Sequence, residues 1–200
     1  MKQFGGFEDA QKNARYTGSE KLPVGAYVAK IMNVRYVPGE NGNSDRIDIQ
    51  FDIAEGDHKN FYKKQYDDNT AEDKKWKGKT SVYVPKDDGS EKDGWTKNSF
   101  AKWTNALEDS NSNYKWDWDE AKWKGLKIGL MFAETGNVIE GKEVVYTEVR
   151  YPMSVEDTKK PDLKIPALKK RNGYTGNKTS APVDNGFVNV PEGIEEEIPF

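Results

Sequence analysis

The chain of 200 residues is polar for its length: 34% of its residues are hydrophobic, 32% are charged, and the formal net charge is -3. That balance suits one domain with extensions better than two full domains, and leaves part of the chain outside any core. There are no cysteines, which excludes disulfides, thiolate zinc sites and a Cys nucleophile and fits a reducing compartment.

Residues 1–22 are polar and without clear period, and read as an N-terminal arm with no run of signal-peptide type. No stretch approaches the ~20 apolar residues of a membrane span, so the expectation is a soluble, cytoplasmic protein without a membrane partner. Leu22-Pro23-Val24-Gly25 opens a first strand that runs to about Val37, and the Gly/Asn-rich 38–44 reads as a turn. The second strand is the clearest. Ile47, Ile49, Phe51 and Ile53 alternate with Arg46, Asp48, Gln50 and Asp52, which places an apolar set on a core and a polar set on the opposite face.

Residues 55–79 are charged and aromatic and read as a short strand or long loop. Thr80 to Val84 is a third strand, stopped by Pro85. The period then changes. Phe100, Trp103 and Leu107 fall at i, i+3, i+7, which predicts an amphipathic helix over Thr96 to Glu108 with Trp103 in the core. Two strands follow, one through Leu126, Ile128, Leu130 and Phe132, the other through Val145, Thr147, Val149 and Tyr151, linked around Gly136-Asn137 and Gly141. From Ser154 the period fades, and a flexible linker over 154–194 and a disordered C-terminal tail are expected.

The predicted fold is therefore mainly β: a five-stranded barrel over 23–153 with one helix between strands 3 and 4. That is the arrangement of the OB-fold, which binds oligonucleotides. A β-sandwich with an inserted helix is the alternative. Charge is uneven. The last twenty residues hold five of the 34 acids (Asp184, Glu192, Glu195, Glu196, Glu197) and none of the 31 basic residues. Just before them, 159–171 contains Lys159, Lys160, Lys164, Lys169, Lys170 and Arg171 against Asp162 alone. A mildly basic body with an acidic end suits a polyanion-binding part and a separate tail.

The chain ends Glu195-Glu196-Glu197-Ile198-Pro199-Phe200. An acidic run followed by Ile-Pro-Phe resembles the C-terminal tip of bacterial and phage single-stranded-DNA-binding proteins. A weaker likeness to phage-encoded members lies in the Leu-Pro-Val-Gly-x-Tyr opening and the Trp-x-Gly-Leu before the fourth strand. The resemblance implies a protein that coats single-stranded DNA in replication, recombination or repair, inside a bacterial host cell if phage-encoded. It also implies recruitment of partner proteins through residues 195–200. Phe200 would fill an apolar pocket, its carboxylate would meet a cation, and the acids would attract a basic surface.

A sequence-tolerant binder of single strands needs flat rings for bases and cations for phosphates. The densest interleaving is Phe61, Tyr62, Lys63, Lys64 and Tyr66, followed by Trp76 and Lys77. Arg35 and Tyr36 end the first strand, and Arg46 and Gln50 lie on the wet face of the second. These eleven are the candidate DNA-binding residues. Either Phe61 or Tyr62 could instead pack the barrel, and Trp116, Trp118 and Trp123 could cap its bottom or stack on bases. Nothing points to an enzyme. His58 is the only histidine, and no phosphate loop, dinucleotide fingerprint or metal-ligand spacing occurs. Asp48 and Asp52 share a strand face and could hold a divalent ion, though such pairs are usually a strand's wet face. No cofactor is expected. A carbohydrate-binding β-sandwich module, or an adaptor that binds only proteins, would use the same surface aromatics differently.

Overall fold

The computed structural model describes Gly5 and residues 20–40 and 43–176. The expected arm lies almost wholly outside these, as do residues 177–200 with the rest of the expected linker and the tip. The described elements are β1 (Gly25–Val37), β2 (Arg46–Ile53), α1 (Phe61–Asp68), β3 (Lys79–Tyr83), α2 (Glu91–Ser110), β4 (Lys127–Ile139), β5 (Lys142–Met153) and the two-residue β6 (Lys169–Lys170). They form one sheet in the order β3-β2-β1-β4-β5, antiparallel throughout, with β6 added parallel to β4. The protein is mainly β. The strands at the two ends of that path, β3 and β5, are joined by no described pairing, and α2 packs against both.

Alternation on β2 does what its sequence requires. Ile47, Ile49, Phe51 and Ile53 are all 2% exposed or less, and they meet Ile31, Ile128, Leu130, Phe132 and Trp123 in one apolar cluster. Two bulges interrupt the ladders. Met32 has no partner on β2, between the pairs Ile31↔Phe51 and Asn33↔Gln50. Arg150 has none on β4, between Met131↔Tyr151 and Phe132↔Val149. An extra residue of this kind turns its side chain out of the regular alternation.

The helix α2 starts five residues before the predicted Thr96. Ser90 caps it by accepting from the Asp93 N–H at 3.1 Å, and Asp93 accepts the Asp87 N–H at 2.8 Å. At its other end the Asn111 side chain donates to the Leu107 and Lys127 carbonyls, both at 2.8 Å, which ties the helix to the start of β4. Phe100, Trp103 and Leu107 are buried, as their spacing requires.

Four expectations are corrected. The sheet has six strands, not five, and a second α-helix, α1, occupies the segment read as strand or loop. That helix lacks a 3.6-residue apolar face, since only the adjacent Phe61 and Tyr62 are buried. Its N-terminus is held by a residue of another element: Asp52 accepts the Tyr62 and Lys63 N–H groups at 2.9 and 3.1 Å. Third, the described start of the expected linker is built onto the sheet. A 3₁₀ turn spans Asp157–Lys159, and Arg171 donates its N–H to the Gly136 carbonyl at 2.9 Å beside β6. The predicted link around Gly136-Asn137 also moves, because both lie inside β4. The turn is Glu140-Gly141, both at positive φ (51° and 76°), the two-residue turn that matches strand twist.

Candidate functional site

The polar face of β1–β2–β3 presents its side chains in rows. Asn33, Gln50 and Lys79 form one, Arg35, Asp48 and Ser81 the next, and Val37, Arg46 and Tyr83 the third. The middle row is an ion cluster. Asp48 accepts from Arg35 at 3.1 Å, from Arg46 at 2.9 Å and from Ser81 at 2.8 Å. Partial burial pushes the Asp48 carboxyl up, and the bonds from Arg46, Ser81 and Arg35 outweigh it, leaving the pKa below the ordinary value.

A groove of about 520 Å³ opens over the first row. Its floor is Met32, Asn33 and Gln50, and its walls are Tyr66, Trp76, Lys74 and Lys124. The bulge puts Met32 there and leaves it 47% exposed. The segment after α1 builds the aromatic wall. The rings of Tyr66 and Trp76 lie 5.9 Å apart at 46°, and the Lys74 ammonium sits 4.5 Å from the Tyr66 ring centre. Trp76 is anchored by its Nε1–H, shared between the Phe51 and Gly78 carbonyls at 3.0 and 3.1 Å. Gly78 is required there: a Cβ would stand 2.3 Å from the Phe51 carbonyl oxygen. The wall is thus a fixed pair of half-buried rings beside two ammonium groups.

The eleven candidate residues divide. Gln50, Tyr66 and Trp76 come together in the groove. Arg35 and Arg46 lie on the same face around Asp48, and Tyr36, 42% exposed, donates its hydroxyl proton to Asp45. Lys77 is exposed next to Trp76 in sequence. Lys63 and Lys64 are exposed on α1 but do not line the groove, and Lys63 pairs with Asp67 at 2.6 Å. Phe61 and Tyr62 are corrected: they are 7% and 8% exposed, Tyr62 edge-on to Phe51 at 5.5 Å and Phe61 edge-on to Tyr62 at 5.2 Å, so their faces cannot meet a ligand. Burial pushes the Tyr62 hydroxyl pKa well up.

The reading of Asp48 and Asp52 as an ion-binding pair also fails. Asp52 is buried and caps α1, and Asp48 is taken by two arginines. Among the described residues no group of three or more His, Asp or Glu side chains could hold a metal ion. His58 is half-buried, edge-on to Tyr27 at 5.6 Å and Phe61 at 6.1 Å, which is packing. Sequence reasoning missed Met32, Asn33, Lys74, Lys79 and Lys124 on this face. The charged aromatic run 55–79 signalled Lys74 and Lys79, but nothing local links Lys124 to it. Among the described residues no helix is long and apolar enough to cross a membrane. No family model matches the chain, and no curated protein matches it either.

Proposed function

We propose that this protein binds single-stranded DNA with little sequence preference across the outer face of β1–β3. We further propose that it recruits replication, recombination or repair proteins through Glu195, Glu196, Glu197, Ile198, Pro199 and Phe200, which lie outside the described residues. The observation that carries the DNA reading is the anchored Tyr66–Trp76 pair with Lys74 and Lys124 beside it. Every base has a π-face, so such a wall accepts any of them, and a stacked base is worth about 1 to 3 kcal/mol. A duplex hides those faces, while both forms offer phosphates to Arg35, Arg46 and Lys79. The strand order, with α2 between β3 and β4, supports an OB-type barrel, whose strand 2–3 face is the usual oligonucleotide site. This function needs no catalytic group and no cofactor.

Titration of tryptophan fluorescence with oligo-dT at two salt concentrations tests the reading. Quenching is expected, with tight binding that weakens as salt rises. Tyr66→Ala should weaken binding and leave the salt slope intact. Lys124→Ala should flatten that slope by about 0.7, the share of one phosphate contact on a single strand. Equal affinity for duplex and single strand, or binding only to a soluble glycan, overturns the reading.

A further inference from the structure

Trp118 is 83% exposed, the most exposed large hydrophobic residue of the described chain. A lone exposed ring is ordinary, but this one is held. Its backbone lies at φ 66°, a left-handed conformation that costs any residue with a bulky Cβ substituent stability. Its ring leans on Trp116 at 5.9 Å, Trp116 leans on Trp123 at 5.4 Å, and Trp123 is fully buried. The backbone on either side is pinned. Glu108 accepts the Trp116 N–H at 2.9 Å, and Asp119 accepts the Ala121 N–H at 3.1 Å. A strained, braced and exposed aromatic is pre-organised to meet a flat partner at little ordering cost.

The segment carrying Trp118 borders the DNA-binding face. Six residues on, Lys124 lines the groove, and Gly125 and Leu126 bond to Ile31 on β1 at 2.8 and 3.0 Å. The Tyr36 phenol pKa is held up first by the hydrogen bond that its hydroxyl donates to Asp45, and the Glu120 carboxylate adds to it. The charges beside Trp118 suit a base better than a phosphate. Asp117 and Asp119 flank the ring, and Lys122 bonds to Asp117 and lies 3.7 Å from Asp119, so the two acids outnumber the one cation paired with them.

We propose that Trp118 is a second stacking platform, taking a base of the same single strand beyond the Tyr66–Trp76 groove on the Lys124 side. This rests on the single-strand reading. The test uses the full chain and fluorescein-labelled dT oligomers of about 4 and about 16 nucleotides, the range one such barrel covers. Trp118→Ala should bind the short oligomer as wild type does. It should bind the long one roughly 5- to 150-fold more weakly, the worth of one stacked base. Trp118→Phe should keep most of the affinity. Trp118→Gly, which suits the left-handed backbone, should bind like the alanine variant while melting no lower than wild type, a pairing that a structural role does not give. Trp95→Ala, an exposed ring on α2, should change nothing. If Trp118→Ala matches wild type on the long oligomer, or loses equally on both lengths, the platform is overturned and the groove stands. If wild type binds neither oligomer, the single-strand reading itself falls.

Discussion

Two places in the molecule set two arginines on one carboxylate. On the outer face, Arg35 and Arg46 meet Asp48, with side chains 72%, 44% and 25% exposed. On the β4–β5 hairpin, Arg150 and Arg171 meet Glu148 at 3.4 and 3.1 Å, with side chains only 11%, 19% and 23% exposed. The hairpin cluster is built into the fold: Arg150 is the bulge residue of β5, Arg171 follows β6, and Thr135, fully buried, donates to Glu148 at 2.6 Å. Tyr174 closes over Gly136, where a Cβ would stand 2.5 Å from its ring. The same chemistry therefore does two jobs. Out of water, the charges depend on each other and fasten the 160–176 segment to the sheet. In water, the pairing is weak, and in the proposed function the arginines exchange it for phosphates.

Breaking the hairpin cluster should have the larger effect. Glu148→Ala removes the carboxylate that two poorly exposed arginines share, and should lower unfolding free energy by about 2 to 3 kcal/mol, read from urea denaturation. Oligo-dT affinity should hold as long as the variant is folded. Asp48→Asn should cost under about 1 kcal/mol, because its partners stay solvated. It should tighten oligo-dT binding at low salt by releasing Arg35 and Arg46, and steepen the salt slope. A large stability loss from Asp48→Asn would erase the contrast between the two clusters.

Acid sharpens the comparison further. The Asp48 pKa is held below its ordinary 3.8 in the folded protein. Its ionised form therefore contributes stability that is full above that value and is lost as pH falls through the folded pKa. The small difference in melting temperature between wild type and Asp48→Asn at pH 7 should fade as pH falls below 3.8 and through the lowered folded pKa. The smallest effect belongs to Lys63. Its helical pair with Asp67 is exposed on both sides, and Lys63→Ala should leave the urea midpoint and oligo-dT binding unchanged within error.

Much of the scaffold was legible because its signals are local. Alternation marked β2, the spacing of Phe100, Trp103 and Leu107 marked α2, and the chemistry of the run 55–79 marked where one wall of the groove would come from. Those patterns need only the pleat of a strand or the turn of a helix. Tertiary structure decided the rest. Whether a ring in 61–76 faces the core or the groove depended on α1, and α1 depends on Asp52 from another strand, so Phe61 and Tyr62 went inward while Tyr66 and Trp76 stayed at the surface. Met32 reaches the groove through a one-residue bulge, and Lys124 through the bonds that lay 125–126 beside Ile31. The two arginine clusters read alike as sequence and differ only in how much water the fold leaves them. Burial and long-range pairing are properties of the whole chain, and no short window of residues contains them.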